Sequence, residues 1–571
     1  MKFKKIVSIL LTGVMAMSLI ACSSGNKSTI TQNSSVKSES KSQFDTIVIA
    51  LSEVNGIFSP IFSTTHYDQF VSYPVFSLVS QLSDDNVLID DAGNISYKEI
   101  KDDTNNISQV EYTVKLKEGI TFSDGKPLTI DDYIFTLYLL LDPAYDGTNT
   151  LSSLNIQGLK EYREGGEAVT EISGIKKVDD LTATILTNGV NISGDRLLAN
   201  IAILPKHYYG VGNDGTEFKK GDMTVPKSRN EAPMGSGPYI FKSFDKNLVT
   251  FEANPNYFKG APKTPNLKMQ VVEANNKVDT IINGDIDIAD PPADKETMAR
   301  LNAEGLEYNL VDNNGYGFVG MNADRIKDKN VRKGLMHLMN REPSVKSYYG
   351  DTAEVIERPL TTVLAEYPQN AEAYYPYDKA KALEYFTSAG YKKDATGKLV
   401  DANGNQLKVE VGVPDLKNSP TAGIFSQMKI DMEEIGAELL VSDLAFNVLV
   451  DRINTGDIDM FALSWTGMNN PDLTQLYHSS LAGVAGANIY NLRDPEVDKL
   501  LEEVATTLDL EKRKELVAKE LDLIMENAIV MPIFQRKNLN IFSKNLKIDT
   551  VYKSSSPFYT YKDEIHLIEM N

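Results

Sequence analysis

Five histidines, one cysteine, one tryptophan and 27 tyrosines are the side chains of this 571-residue chain best suited to metal binding, nucleophilic catalysis or ligand stacking. His66, His207, His337, His478 and His566 are far apart, and no two have metal-ligand spacing. Each reads singly as structural or surface, so no metal and no other cofactor is expected. The sole cysteine, Cys22, excludes an intrachain disulfide and any cysteine-based zinc or iron–sulfur site. Asp285, Asp287 and Glu296 fall at calcium-loop positions, but Asp290 stands where that loop requires glycine and the segment alternates like a strand. A calcium site is rejected. Ser34 and Lys37 have a nucleophile–base spacing, yet they lie in a polar, tether-like stretch. No G-x-S-x-G elbow, phosphate-binding loop or dinucleotide fingerprint is present. The chain is therefore not expected to be an enzyme, and an active site assembled from scattered carboxylates is the last alternative. Trp465 is the most informative of these side chains. It ends the run Ala462-Leu463-Ser464-Trp465-Thr466-Gly467, a strand passing into a glycine and a polar loop, which is where open α/β sheets hold ligands. The competing reading is a packed tryptophan at a strand end.

The elements that would position Trp465 are of mixed type. With 42% hydrophobic and 24% charged residues the composition is that of a folded, soluble chain. At roughly 150 residues per domain its length suggests three or four domain-sized units. A balance of 58 Lys+Arg against 79 Asp+Glu, net −21, argues against a nucleic-acid partner, whose binding needs clustered cations. The run 46–51 is β-rich. Tyr112, Val114 and Leu116 alternate with polar residues as a half-buried strand. A turn at 121–127 follows, and Thr129 with Asp132 has capping-box spacing before a helix bearing Phe135, Tyr138 and Leu139 and stopped by Asp142-Pro143. Asn283-Gly284-Asp285-Ile286-Asp287-Ile288 and Thr455-Gly456-Asp457-Ile458-Asp459-Met460 each follow a helical pattern, pass a C-capping glycine and enter a strand. The second of those helices, 446–455, carries Phe446, Leu449, Val450 and Ile453 on one face. Two α/β lobes of similar construction are expected. Further helices, with Met428 and Met432 before Gly436 and with Pro495 at a helix start, alternate with short β runs such as 529–534.

The N-terminus carries an address. Lys2, Lys4 and Lys5 precede the apolar run 6–20, a secretory signal too short for a confident transmembrane span. It ends Leu19-Ile20-Ala21-Cys22, which resembles the lipobox of bacterial lipoproteins, whose cysteine is lipidated and becomes the first mature residue. An ordinary signal peptide with a chance cysteine is the alternative. Residues 23–43 are polar and almost free of apolar side chains, as in a flexible tether that spans about 25 Å as a random coil. The expected organisation is a signal peptide at 1–21, lipidated cysteine and tether at 22–43, and anchorage to the bacterial cell membrane without spanning it.

Residues 111–135, EYTVKLKEGITFSDGKPLTIDDYIF, resemble the signature block of the peptide/nickel class (family 5) of ABC-transporter solute-binding proteins, oligopeptide-binding lipoprotein type. The likeness continues in order through Pro233-Met234-Gly235-Ser236-Gly237-Pro238-Tyr239, Asn254-Pro255-Asn256-Tyr257-Phe258-Lys259-Gly260 and Asn283-Gly284-Asp285-Ile286-Asp287. Gly320-Met321-Asn322, Val331-Arg332-Lys333-Gly334-Leu335, Asn340-Arg341 and Tyr377-Asp378-Lys379-Ala380 extend it, and it ends near Pro532-Ile533.

The resemblance implies an α/β, two-lobed, hinged binding-protein fold with an extra subdomain. Lobe I would take 44–315 and 536–571, with the subdomain at about 70–195, and lobe II would take 316–535. It implies a monomeric, extracytoplasmic receptor that captures peptides between the lobes and presents them to ABC permease and ATPase subunits. An oligosaccharide receptor on the same scaffold is the alternative reading, with Trp465 and tyrosines stacking on sugar faces. A sensor or adhesion protein that kept the fold is a third. In oligopeptide-binding relatives, backbone groups of one segment in each lobe sandwich the peptide. By resemblance these are Asn55, Gly56, Ile57 and Phe58, and Ser464, Trp465, Thr466 and Gly467, with Met468 and Asn469 following. Those relatives place an aspartate after the tryptophan to neutralise the peptide ammonium group. Met468 stands there in this chain, so free-amine recognition would fall to Asp472 or another acid.

Overall fold

The computed structural model of the chain describes residues 44–571, so the signal peptide, the lipidation of Cys22 and the tether expected over 1–43 lie outside the described residues. The strand Thr46–Leu51 is the first β-rich run, and it is flanked by parallel partners, Asn266–Val271 on one side and Ile288–Ala289 on the other. Ile47, Ile49 and Leu51 face one core while Ala50 faces another, which accounts for the nearly continuous apolar run. Leu248–Ala253 and Tyr239–Asp245 extend this side antiparallel to the edge. A second group of strands has the order Glu438–Leu444, Lys408–Pro414, Met460–Thr466, Gly315–Met321. In Met460–Thr466 the faces alternate: Met460 and Ala462 enter one core, Phe461, Leu463 and Trp465 the other.

One strand joins the two groups. Val530–Phe542 is 13 residues long; its first part pairs with Gly317–Gly320, its middle with the short strand Ala353–Glu354 and its second part with Glu307–Asp312, so that both groups belong to one twelve-stranded sheet. The short β run expected at 529–534 is thus the first half of a strand that serves both groups. Each group keeps its own hydrophobic cores, and the result is a two-lobed α/β fold. The extra subdomain is a four-stranded antiparallel sheet built of Gly93–Lys101, Ile107–Leu116, Thr182–Asn188 and Ile175–Lys177. The helix Ile130–Leu141 packs on it, started by the capping box in which the Thr129 N–H donates to Asp132 Oδ2 at 2.9 Å.

The two similar motifs do the same mechanical work. Gly284 (φ +79°) and Gly456 (φ +71°) terminate the helices Lys277–Ile282 and Phe446–Asn454 in the left-handed region that glycine adopts without strain. Two residues after each Gly-Asp pair comes a second aspartate whose carboxylate ties down the neighbouring parallel strand. Asp287 Oδ2 accepts the Val48 N–H at 2.8 Å, and Asp459 Oδ2 accepts the Glu410 N–H at 2.9 Å. In both cases the next residue makes the first parallel pair, Ile288 with Ile49 and Met460 with Val411. The carboxylate supplies an acceptor just where the ladder begins. Asp287 has 3% of its surface exposed and is also bound by Ser543 Oγ at 2.8 Å, which leaves nothing for a cation. Asp287→Ala should therefore cost about 1–3 kcal/mol in urea unfolding by orphaning the Val48 N–H, with Asp287→Asn recovering much of it.

Candidate functional site

Strand direction decides where the cleft lies. Thr46–Leu51 runs parallel to Ile288–Ala289, which is antiparallel to Val530–Phe542, so its carboxyl end points toward the junction of the lobes. Thr466, at the carboxyl end of the opposite central strand, pairs with Gly315 beside the crossing at 312–315. Both central strands end at one seam, the position at which open parallel sheets bind ligands. A cavity of about 680 Å³ opens at Ala50, Leu51, Ser52 and Asp290. One of about 540 Å³ opens at Pro414, Leu463, Ser464 and Trp465. They occupy corresponding places in the two lobes, and Tyr349 lines both.

The second cavity is apolar. Trp465 is half-buried and stacks on Phe318 at 5.5 Å with 13° between the rings. Phe446, Phe534 and Ile489 complete the greasy wall, Asn418 and Thr421 add polar edges, and among the described residues no Asp, Glu, Lys, Arg or His lines it. Helical spacing puts Phe446, Leu449, Val450 and Ile453 on one face. Leu449 and Ile453 do enter the core, but Phe446 is 64% exposed over the cavity. A stripe with more apolar positions than a short helix can bury was the available signal. From Ala462 onward Met460–Thr466 is paired on one side only, because Lys408–Pro414 contacts it no further than Phe461. Its other backbone edge is open.

The loop after Trp465 is fastened to the crossing. The N–H groups of Gly467 and Met468 donate to the Asn314 carbonyl at 2.7 and 3.3 Å, and Asn314 Nδ2 donates to Asn469 Oδ1 at 2.7 Å. The Asn469 carbonyl accepts from Arg196, across from the subdomain, at 3.3 Å. Met468 packs against the core containing Tyr316 and Phe318, a packing role that a carboxylate could not fill. Asp472 Oδ1 accepts the Thr474 N–H at 3.0 Å and so caps its own turn.

Residues 55–58 sit differently. The Asn55 and Gly56 N–H groups donate to Asp68 Oδ1 at 2.8 and 3.3 Å, and the Phe58 N–H donates to the Asn230 carbonyl at 2.7 Å. Phe58 is wholly buried against Phe241 and Phe244, Gly56 is buried, Ile57 half-buried and Asn55 exposed. No hydrogen bond among the described residues joins this segment to 464–469. Sequence reasoning also passed over Ser52, Asp290, Arg536 and Lys562, which line the first cavity. They are brought together from four separate stretches of chain. There Lys277, with 1% of its side chain exposed, reaches Asp290 at 2.5 Å and Ser52 Oγ at 2.7 Å. Burial pushes the Lys562 ammonium below the ordinary lysine value. Among the described residues no group of three or more His, Cys, Asp or Glu is placed to hold a metal, and no helix is long and apolar enough to cross a membrane.

The family description "bacterial extracellular solute-binding proteins, family 5 Middle" matches residues 100–486, more than half of the sequence. The chain belongs to that family. This family-5 solute-binding protein is 27% identical over 512 residues to the oligopeptide-binding protein AppA of Bacillus subtilis strain 168, covering 87% of each chain. Its fold is that of a periplasmic murein tripeptide-binding protein, MppA, solved in an unliganded open form (TM-score 0.74, 18% identity, 93% and 98% coverage). It also matches Bacillus subtilis AppA solved with a nonapeptide (TM-score 0.57, 22% identity, 92% and 99% coverage). The family resemblance and the two-lobed fold read from the sequence are both borne out.

Behind the Trp465 loop, Glu520 on the helix Leu510–Glu526 is fully buried with neither carboxyl oxygen hydrogen-bonded. Burial, reinforced by the nearby Asp472 charge, raises its pKa well above the ordinary carboxylate value. The folded state keeps this proton while the unfolded chain loses it above about pH 4.3, so the stability Glu520 contributes declines as pH rises from there. Glu520→Gln should flatten that decline, and urea midpoints of the two proteins should diverge between pH 5 and pH 8 in favour of the variant. Parallel pH profiles would show that Glu520 ionises normally in the fold.

Proposed function

We propose that this protein captures peptides in the cleft between its lobes and delivers them to the permease and ATPase subunits of an ABC importer, held outside the cell membrane by lipid on Cys22. The observation that carries the reading is the open backbone edge of Met460–Thr466 beside Trp465, at the seam of a fold whose relatives include named oligopeptide-binding proteins. An exposed strand edge accepts an extended peptide by main-chain pairing, which gives affinity without reading side chains. The apolar cavity next to it then receives a side chain, with Ser464, Trp465, Thr466 and Gly467 as the contact segment. Met468 and Asn469 hold that segment in place, and Asp472 caps the turn behind it. From the first lobe, the carbonyls of Asn55 and Gly56 and both backbone groups of Ile57 are the groups offered, since Asp68 and Asn230 engage the other N–H groups. Phe58 supports the segment from the core.

We take lobe I as 44–315 and 536–571, lobe II as 316–535 and the subdomain as about 70–195. The lobe limits are supported by the switch of the long strand from Gly317–Gly320 to Glu307–Asp312 as pairing partner. Binding closes the lobes by its differential affinity for the closed state.

Native mass spectrometry of the chain from Gln43 onward, after exposure to separate peptide and oligosaccharide pools, should recover peptides. Retention of sugars with peptides washing off would overturn the reading. Trp465→Ala should weaken peptide retention by about tenfold or more while the unfolding temperature changes little. Cys22→Ser should move the protein from the membrane fraction to the medium and abolish incorporation of labelled lipid.

A further inference from the structure

Away from both cavities, the subdomain side meets lobe II at a second place. The short helix Gly194–Ala199 packs on Gly93–Lys101, the outer strand of the subdomain sheet, and carries Arg196. Both side-chain bonds of Arg196 go to backbone carbonyls: Nη2 donates to Asn86 at 2.9 Å, and Nη1 donates across the seam to Asn469 at 3.3 Å. No carboxylate pairs with it among the described residues. On the lobe II side Glu366 is fully buried, and its Oε1 accepts from Arg513 Nε and Nη2 at 2.8 Å each, while Oε2 has no partner. Of the charges around the Arg196 guanidinium, that of Glu366 acts on it most strongly. Arg513 Nη1 donates to the Thr507 and Leu508 carbonyls at 3.0 Å, and the Leu508 side chain packs against the core that contains Tyr112 of the subdomain. Apolar contact is thus already made. What faces it is a cation without a carboxylate and a carboxylate oxygen without a donor, on opposite sides of one interface, where burial makes the unmet oxygen costly.

We propose that the subdomain is a clasp on lobe II and that Arg196 is its positioning residue: as the lobes close, the guanidinium seats on Glu366 Oε2 while keeping the Asn469 carbonyl. This rests on the peptide reading of the cleft and goes beyond it, since Arg196, Glu366, Leu508 and Arg513 line neither cavity. A guanidinium carries five N–H donors in one plane, so Arg196 can hold two carbonyls and a carboxylate oxygen together, and Glu366 keeps Arg513 through its other oxygen. The bond joins lobe to lobe and leaves the ligand untouched. A contact completed only on closure raises the fraction of closed protein, and it multiplies the apparent affinity for every ligand by the same factor. Side-chain preference stays with the cavities. The subdomain then sets how firmly the lobes close, and the cavities set what they close on.

The test uses the full-length chain in detergent as wild type, Arg196→Gln, Glu366→Gln and the double variant, each checked for an unchanged unfolding temperature. With a mixed pool of heptapeptides in native mass spectrometry, each single substitution should lower retention of every peptide by about tenfold and leave their order unchanged. The double variant should fall no more than about twofold below either single one, because both substitutions remove one contact. A changed order would make Arg196 a ligand contact, and additive losses would make the two residues independent; either overturns the clasp, as does unchanged retention. Arg196→Lys, which keeps the cation, should recover most of the lost retention, so the assignment stands without Glu366→Gln should that variant not fold. No recovery overturns it. Hydrogen exchange in the absence of peptide gives a readout free of the ligand: amides at 467–469 and 507–509 should exchange at least about threefold faster in Arg196→Gln than in wild type. Unchanged exchange there overturns the clasp. Faster exchange in a protein whose wild type retains no peptide would overturn the peptide reading and leave the clasp in place.

Discussion

The structure depends on the hydrogen-bond demand of one strand. Val530–Phe542 has 13 residues whose backbone donors and acceptors are largely removed from water, and no single partner in either lobe is long enough to meet them. Gly315–Met321 satisfies its beginning and Glu307–Asp312 its end. The lobes are therefore two halves of one ladder; at the change-over the short strand Ala353–Glu354 pairs with Arg536 and Gln535, and residues 313 and 314 link the two longer partners. Because each lobe's central parallel strand is oriented by this shared strand, both carboxyl ends arrive at the same seam, and a cleft exists there without any further device.

Each lobe then repeats one solution to the problem of starting a parallel pair. A helix ends at glycine, and an aspartate two residues beyond the following Asp accepts the first free N–H of the neighbouring strand. The repeat places two cavities in corresponding positions but does not make them alike. In one the lining is aromatic and aliphatic with polar edges; in the other a buried lysine neutralises the only acid and two cations stand unmatched. The common scaffold sets position, and the side chains carried at the strand ends set chemistry.

The Trp465 loop is fastened from two sides. Its backbone is tied to Asn314 in the link between the shared strand's two partners, and Asn469 is touched by Arg196 from the subdomain side. In the peptide-capture reading proposed above, a ligand on Trp465 would act on a segment bonded both to Asn314 at the junction and to Arg196, which would make its contacts differ between open and closed arrangements. That difference is what a population shift between two states requires.

Much of the architecture was legible in local sequence. The alternation at 112–116, the Thr129–Asp132 capping box, the glycine stops at 284, 436 and 456 and the strand end at Trp465 are short-range signals, because hydrogen-bond geometry within a few residues dictates them. The ordered blocks from 111 to 533 likewise announced the family. What sequence could not decide is everything that depends on residues meeting from distant stretches. The run 529–534 looked like a short strand because its second half, rich in Lys, Arg and Asn, is apolar only where Leu539, Ile541 and Phe542 enter the core of the other lobe. Periodicity put Phe446 on the face of Leu449 and Ile453 but could not give that face's neighbour, and Phe446 stands exposed. The neutralised Asp290 and the unmatched Arg536 and Lys562 carry no motif at all, since pairing of charges is a property of distances in space that tertiary folding alone creates.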